Sequence, residues 1–219
     1  MDEALLAVVH LLVIGCWLGT DLAVFFLSGR VVDPAQPMSV RRFCANAMSW
    51  LDMLPRTALV LTLASGLAMS MSLQFLPDRH AGAELVWLGS AVWLLLVWAE
   101  YAQRRGRWHA GLAGMDAAIR LVVVGACIGL AAALWRSAPW LSAKLAIMAL
   151  IIALGLIIRW RLRPFSALFA QISNGAGGEQ DQARLARLLA RVKLPVLLIW
   201  TLLLVAAVLG RTRYALGVG

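Results

Sequence analysis

The chain has 219 residues, of which 62% are hydrophobic and only 14% are charged, and its mean hydropathy is +0.83. Soluble domains are about 45–50% apolar and about 25% charged. This composition excludes an ordinary water-soluble fold, a disordered chain and a solenoid, and it predicts a polytopic protein of the lipid bilayer. The net charge of +9 fits basic cytoplasmic loops. We expect no nucleic-acid partner, because we find no basic stripe with interleaved aromatics outside the apolar runs.

Six apolar runs approach the roughly 20 residues that a helix needs to cross a bilayer. They predict an all-α fold, a polytopic membrane helix bundle of six transmembrane helices that forms a single integral membrane domain over residues 1–219. The predicted spans cover residues 4–27, 51–73, 84–101, 119–135, 140–158 and 194–209. Residues 38–50 form an amphipathic lead-in to the second span.

The segment between spans five and six carries two further signals. The patch Asn174-Gly-Ala-Gly-Gly178 is interpreted as a flexible loop from its composition. Residues 182–193 place leucines and a valine at helical spacing with arginines on the other face, which predicts an interfacial helix. Pro195 then falls within the first turns of span six, where proline is tolerated.

The basic residues are shared unevenly between the two sides of the membrane. Thirteen flank the first, third and fifth loops, and four lie on the other side. The positive-inside rule therefore predicts a bacterial inner-membrane protein with both termini outside. Aromatic belts are expected at the two boundaries, formed by Trp87, Trp135 and Trp140 outside and by Trp50, Trp108 and Trp160 inside.

Two ionisable residues stand alone in the outer half of predicted spans, where such groups usually mark function. His10 is the only histidine within a span, about 9 Å from its start at ~1.5 Å per residue. Lys144 lies about 6 Å into span five by the same rise. Structural alternatives remain open for both. His10 could hydrogen-bond a neighbouring helix, and the Lys144 side chain could extend to the membrane surface.

Span one also carries a polar stripe, because His10, Trp17 and Asp21 are spaced so that Asp21 returns to within about 20° of His10. Near the cytoplasmic side we expect an inner polar cluster of six residues: Asp21, Asp52, Arg56, Glu100, Asp116 and Arg120. Asp52 and Arg56 are four apart and are expected to pair along their helix. Asp21 needs a partner such as Arg56 or Arg120. A buried ion-pair network is the favoured interpretation of the cluster, and a proton path is the alternative.

His10 is the candidate ligand for a cofactor or metal. Haem b held by two histidines is not expected, because no second histidine lies in a span, so His10 would act alone or with another residue type such as a deprotonated Lys144. Copper is the other option, because imidazole and thioether ligands suit it. Met69, Met71 and Met148 are the thioethers on the outer side.

Two short motifs resemble a known family. The run His10-Leu-Leu-Val-Ile-Gly-Cys-Trp17 resembles the first helix of the HemJ-type protoporphyrinogen IX oxidases and their CopD-like relatives. Pro139-Trp-Leu-Ser-Ala-Lys144-Leu-Ala resembles the lysine motif of the same family. The resemblance covers spans one, two, five and six, about half of the chain, and residues 84–136 look like an addition to the shorter fold.

The resemblance implies that His10 ligates haem b and that Lys144 is its functional partner, with Trp17 and Trp140 in the same cofactor-binding set. The function then expected is a membrane oxidoreductase that oxidises a hydrophobic substrate, most simply a porphyrinogen, and passes electrons toward quinone or a respiratory-chain partner, with Asp21 as a carrier of protons. A homo-oligomer is a further option. The alternatives are a CopD-like protein that transports copper or confers copper resistance, and a structural subunit of a larger membrane complex.

Overall fold

The computed structural model describes residues 3–76, 82–104 and 106–216, and the side chains of 4–76, 82–104 and 106–210. The described chain is all-α, as predicted. It contains eight helices: α1 (Glu3–Val32), α2 (Met38–Leu51), α3 (Met53–Ser72), α4 (Gly82–Ala102), α5 (His109–Leu134), α6 (Pro139–Leu162), α7 (Phe165–Ser173) and α8 (Glu179–Leu216).

Six helical segments of the described chain are long and apolar enough to cross a membrane, and they correspond to the six predicted spans. Large apolar side chains on these segments point outward, among them Leu95, which is 72% exposed, and Val122, which is 71% exposed. Apolar surface of this extent is typical of helices that face lipid. The protein is therefore a multi-pass membrane protein.

The contacts divide the chain, predicted as a single domain, into two compact units, which are described separately. Unit one comprises Met1–Leu22 and Trp50–Val122, and unit two comprises Ala23–Ser49 and Val123–Gly219. In unit one α3 packs against α4, and in unit two α8 packs against both α6 and α7.

Several helices extend beyond the predicted spans, among them α1 and α5. α1 continues past residue 27 to Val32, and Arg41 stabilises its end by donating from Nε to the carbonyl of Val31 at 2.8 Å. α5 begins at His109 instead of residue 119. Its first turns contain Asp116, which accepts a bond from Arg120 Nε at 2.7 Å. The pair lies in a stretch that an apolar pattern alone does not include, and it neutralises the two charges there.

The predicted interfacial helix and span six form one continuous helix, α8, with Pro195 in its interior. The interfacial helix was expected to run into span six, and it does; Pro195, expected in the first turns of span six, lies in the interior of the combined helix. An interior proline removes one i→i−4 bond and leaves the carbonyl four residues earlier without its N–H donor. Here that carbonyl belongs to Arg191, and Arg161 Nη1 donates to it at 2.7 Å.

The glycine-rich patch, expected to be a flexible loop, is the connection between the unpredicted helix α7 and α8, and its first residues close α7 with a defined turn. Gly175 has φ +80°, and its N–H donates to the carbonyl of Ile172 at 3.1 Å, while Ala176 N–H donates to the carbonyl of Gln171 at 3.1 Å. This pair of bonds defines a Schellman motif, in which glycine is favoured at the left-handed position. The turn leads α7 into α8. Ile172 of α7 and Leu185 of α8 belong to one buried hydrophobic cluster.

Four exposed tryptophans lie at helix ends, as expected of residues at a membrane boundary. Trp50 lies in the last turn of α2 and Trp160 in that of α6, while Trp108 precedes α5 and Trp135 follows it. Two other tryptophans, Trp17 and Trp93, are buried instead.

Candidate functional site

The imidazole of His10 on α1 is held by a serine on α3. His10 Nδ1 and Ser65 Oγ are 2.8 Å apart, and both residues belong to unit one. His10 is half-buried, whereas Ser65 is buried. The hydrogen bond to a neighbouring helix, left open as the structural interpretation of His10, is therefore present. It does not exclude a ligand role, because the imidazole ring has a second nitrogen.

The surroundings of Ser65 set the tautomer of His10. Ser65 Oγ donates to the carbonyl of Leu61 at 2.6 Å, and a hydroxyl has only one proton to donate. Toward His10, Ser65 Oγ is therefore the acceptor, and the ring proton lies on Nδ1. A neutral imidazole protonated at Nδ1 carries its lone pair on Nε2, the atom with which it ligates a metal. A hydrogen bond at the ring nitrogen that does not ligate is typical of metal-ligating histidines.

Small and polar residues of α3 surround this contact. A Cβ added to Gly66 would lie 3.4 Å from His10 Cε1, so the glycine lets the ring lie close to the α3 backbone. One turn before Ser65, the buried Thr62 Oγ1 has no hydrogen-bond partner among the described residues. A buried hydroxyl without a partner costs free energy, and Thr62 thus offers a donor to a polar ligand.

A cavity of about 560 Å³ lies one helical turn from the His10–Ser65 pair, within unit one. Leu6, one turn before His10 on α1, and Ala68, three residues after Ser65 on α3, line it together with Met71, Glu84 and Trp87. This volume falls in the range of small-molecule sites, about 300–1,000 Å³. The lining is mainly apolar, with one thioether, one carboxylate and one hydroxyl, that of Ser72.

Lys144 and Trp140 lie together at the start of α6 in unit two. Lys144 Nζ is 5.7 Å from the centre of the Trp140 ring, a cation–π distance. A Cβ added to Gly210 of α8 would lie 2.6 Å from Nζ, so Lys144 reaches along the surface of α8. His10 and Lys144 belong to different units, and their expected partnership stays a prediction.

The inner polar cluster contains two groups of contacts, both in unit one. In the first, Arg56 Nε donates to Asp52 at 2.8 Å, as the i,i+4 spacing predicts. Arg56 Nη1 also lies 3.9 Å from Glu100 Oε2, which brings α3 and α4 together. Glu100 is almost completely buried.

The second group is centred on Asp116, which is fully buried. Its carboxylate accepts bonds from Arg120 Nε at 2.7 Å and from Trp93 Nε1 at 2.8 Å. The guanidinium of Arg120 also lies 5.6 Å from the centre of the Trp93 ring. Sequence analysis included Asp116 and Arg120 but missed Trp93, because an indole in an apolar helix gives no sign of its N–H partner.

Asp21 and Trp17 lie on α1 in the same unit as His10, Trp17 buried and Asp21 half-buried. The expected pairing of Asp21 with Arg56 or Arg120 stays a prediction. His80 lies outside the described residues. Within the described ranges, no three His, Cys, Asp or Glu side chains are grouped so as to hold a metal ion.

Sequence reasoning also missed Ser65 and Thr62, which lie three residues apart on one face of α3. The available signal was a row of small residues, three of which carry a hydroxyl: Thr62, Ser65, Gly66 and Ser70. Such a row also occurs in helices that only pack closely. Comparison of the chain with protein-family models, with curated proteins and with solved structures gave no match.

Proposed function

We propose that this protein is a redox protein of the bacterial inner membrane that binds haem b through Nε2 of His10. The observation that carries the proposal is the hydrogen bond from His10 Nδ1 to Ser65 Oγ. The bond orients an imidazole in a membrane span and leaves Nε2 as its ligating nitrogen, and a histidine nitrogen is a ligand that haem iron takes. The apolar cavity of unit one lies one helical turn away.

The residues of unit one fit this group in three respects. His10 supplies the ligating nitrogen, and Ser65 holds the proton on the other ring nitrogen. Trp17, on the same face of α1 two turns deeper, is a buried apolar side chain. Thr62 offers a buried hydroxyl donor. Haem supplies one-electron redox chemistry when bound, and the protein's part is to ligate it, orient it and exclude water.

The substrate proposal rests on the motif resemblance. The protein oxidises a hydrophobic substrate, most simply a porphyrinogen, and passes the electrons toward quinone or a respiratory-chain partner. Lys144 and Trp140 enter the proposal through the same resemblance. Complementation of a bacterial strain that lacks protoporphyrinogen oxidase tests this step. Failure to complement, with expression verified in the membrane, would remove the porphyrinogen while leaving haem binding to be tested separately.

Copper is the second candidate, favoured by the position of Met71 in the wall of the cavity. Imidazole together with thioether is a ligand set that suits copper. In that case the protein is a copper transport or resistance protein, and Met71→Leu should lower the copper content. Met148→Leu, in unit two, is the matched control and should leave the copper content unchanged.

The experiment that separates these functions is a haem and metal analysis of protein purified from haem-replete cells. We expect about one haem per chain, a Soret band in the absorption spectrum, and loss of both in His10→Ala. His109→Ala, on the other half-buried histidine of the described chain, should retain them. Copper without haem would support the second candidate. A colourless, metal-free protein that co-purifies with a stoichiometric partner and tolerates His10→Ala would support a structural subunit.

Ser65→Ala, which removes the hydrogen-bond partner of His10 Nδ1, is tested in the same assay. Loss of such a partner typically lowers metal affinity about 10- to 100-fold. We expect Ser65→Ala to retain a Soret band but to lose haem faster to an acceptor protein than the wild type does. Ser90→Ala, on α4 of unit one and outside the lining of the cavity, is a control that should exchange haem at the wild-type rate.

A further inference from the structure

A second cavity, of about 520 Å³, lies between α7 and the first half of α8, entirely within unit two. Three arginines of α8, Arg184, Arg187 and Arg191, line one side of it. They are spaced i, i+3 and i+7, so they lie on one face of the helix. The cavity therefore has a row of guanidinium groups along one wall.

The positive charge of this row is only partly balanced within the described chain. Arg184 Nη1 lies 3.7 Å from Asp181 Oδ1, and Arg184 is 66% exposed. Arg187 Nε donates to a neutral acceptor, the carbonyl of Ala183, at 3.2 Å. A fourth arginine, Arg161, reaches the backbone of Arg191. One carboxylate faces three arginines of the cavity wall, and the cavity has a net positive charge.

The other lining residues are largely apolar, and their position relates the cavity to the membrane. Leu168 of α7 and Leu188 of α8 contribute to the wall. The same helix α8 continues without a break into the sixth span. The cavity thus lies at the polar end of a membrane span, where lipid headgroups are found.

We propose that this cavity binds the headgroup of an anionic phospholipid. The guanidinium groups of Arg184, Arg187 and Arg191 contact the phosphate, with which arginine forms bidentate bonds, and the leucines contact the start of the acyl chains. A basic pocket beside membrane helices is the arrangement that recognises anionic headgroups. Charge complementarity and the continuity of α8 with a span favour a lipid over a soluble anion.

The test uses the full-length protein in detergent micelles and measures binding of phosphatidylglycerol against phosphatidylcholine by native mass spectrometry. We expect a preference for phosphatidylglycerol, and about a hundredfold loss of its affinity in Arg184→Gln/Arg187→Gln/Arg191→Gln. Each arginine near a headgroup contributes about fivefold. The control, Arg30→Gln/Arg104→Gln/Arg107→Gln, removes the same charge from exposed positions outside the cavity and should bind phosphatidylglycerol as the wild type does.

Four results would overturn the proposal: equal binding of the two lipids, equal losses in the two triple variants, no loss in the cavity variant, or inorganic phosphate that binds at the cavity as tightly as phosphatidylglycerol. If the triple variant does not elute as a single folded species, Arg187→Gln replaces it. For that single variant we expect about a fivefold loss, against no change in Arg107→Gln. Equal affinities of these two variants would likewise overturn the proposal.

Discussion

The guanidinium of Arg161, at the end of α6, donates to the backbone carbonyl of Arg191 at 2.7 Å. That carbonyl is the one that Pro195 leaves without an N–H donor inside α8, because proline carries no amide proton. A side chain from one helix thus replaces the missing bond of another. This contact helps to explain how residues 179–216 form one helix across a proline.

This relationship predicts a non-additive pair of substitutions. Arg161→Ala should lower the free energy of unfolding by about 0.5–1.5 kcal/mol, the usual contribution of one hydrogen bond. In a Pro195→Ala background the new N–H serves the carbonyl of Arg191, so Arg161→Ala should cost clearly less. The measurement is unfolding in a denaturing detergent, analysed as a double-mutant cycle, with the exposed Arg163→Ala as control. Equal costs in both backgrounds would contradict the replacement.

The turn between α7 and α8 predicts that Gly175 is not replaceable. Gly175→Ala should destabilise the protein by about 1–2 kcal/mol, because an L-residue at φ +80° has its Cβ too close to the neighbouring carbonyl. Gly111→Ala is the control, because nothing lies within 4 Å of a Cβ at this position of α5. Thermal unfolding followed by size-exclusion chromatography compares the two. A flexible loop at 174–178 predicts that Gly175→Ala costs no stability relative to the wild type, whereas Gly111→Ala, within a helix, should not destabilise in either case.

The buried group around Asp116 predicts a large structural effect. Asp116→Ala removes the acceptor of both Arg120 and Trp93, and it should cost about 3–5 kcal/mol because a buried charge loses its partner. The double variant Asp116→Leu/Arg120→Met should recover most of this loss. Arg184→Ala, which breaks an exposed pair, should cost less than about 1 kcal/mol. Folded yield and unfolding free energy measure all three. Normal folding with lost turnover in Asp116→Asn would indicate a proton path instead.

The number and class of the spans could be predicted from the sequence. Hydropathy measures how favourably side chains move from water into an apolar phase, and the same transfer into lipid stabilises the spanning helices. Helix ends could not be predicted. The early part of α5 contains the ion pair of Asp116 and Arg120, and α8 continues past Pro195 where Arg161, a residue of another helix, donates to its backbone. Among the site residues, His10 stood out because imidazole is rare in a span. Its partner Ser65 did not, because a serine can satisfy its hydroxyl on its own helix, and the bond to His10 exists only once α1 and α3 meet.

The predicted orientation has a direct test. Alkaline phosphatase fused after Gly219 folds only outside the cytoplasm, so the fusion should be active if both termini lie outside, as the excess of basic residues in the first, third and fifth loops predicts. Fusion after Gly178, next to the basic face of α8, should be inactive. An active fusion after Gly178 together with an inactive fusion after Gly219 would show that the topology is the inverse of the predicted one.

The central claim is that Nε2 of His10 ligates haem, and the most direct measurement is ligand rescue. His10→Gly, purified from haem-replete cells, should show no Soret band. Addition of haem together with free imidazole should restore the band, because imidazole enters the space that the side chain leaves beside Ser65 and Gly66. His109→Gly should keep the band without any addition. A Soret band in His10→Gly equal to that of the wild type, or a wild type that takes up no haem, would contradict the claim.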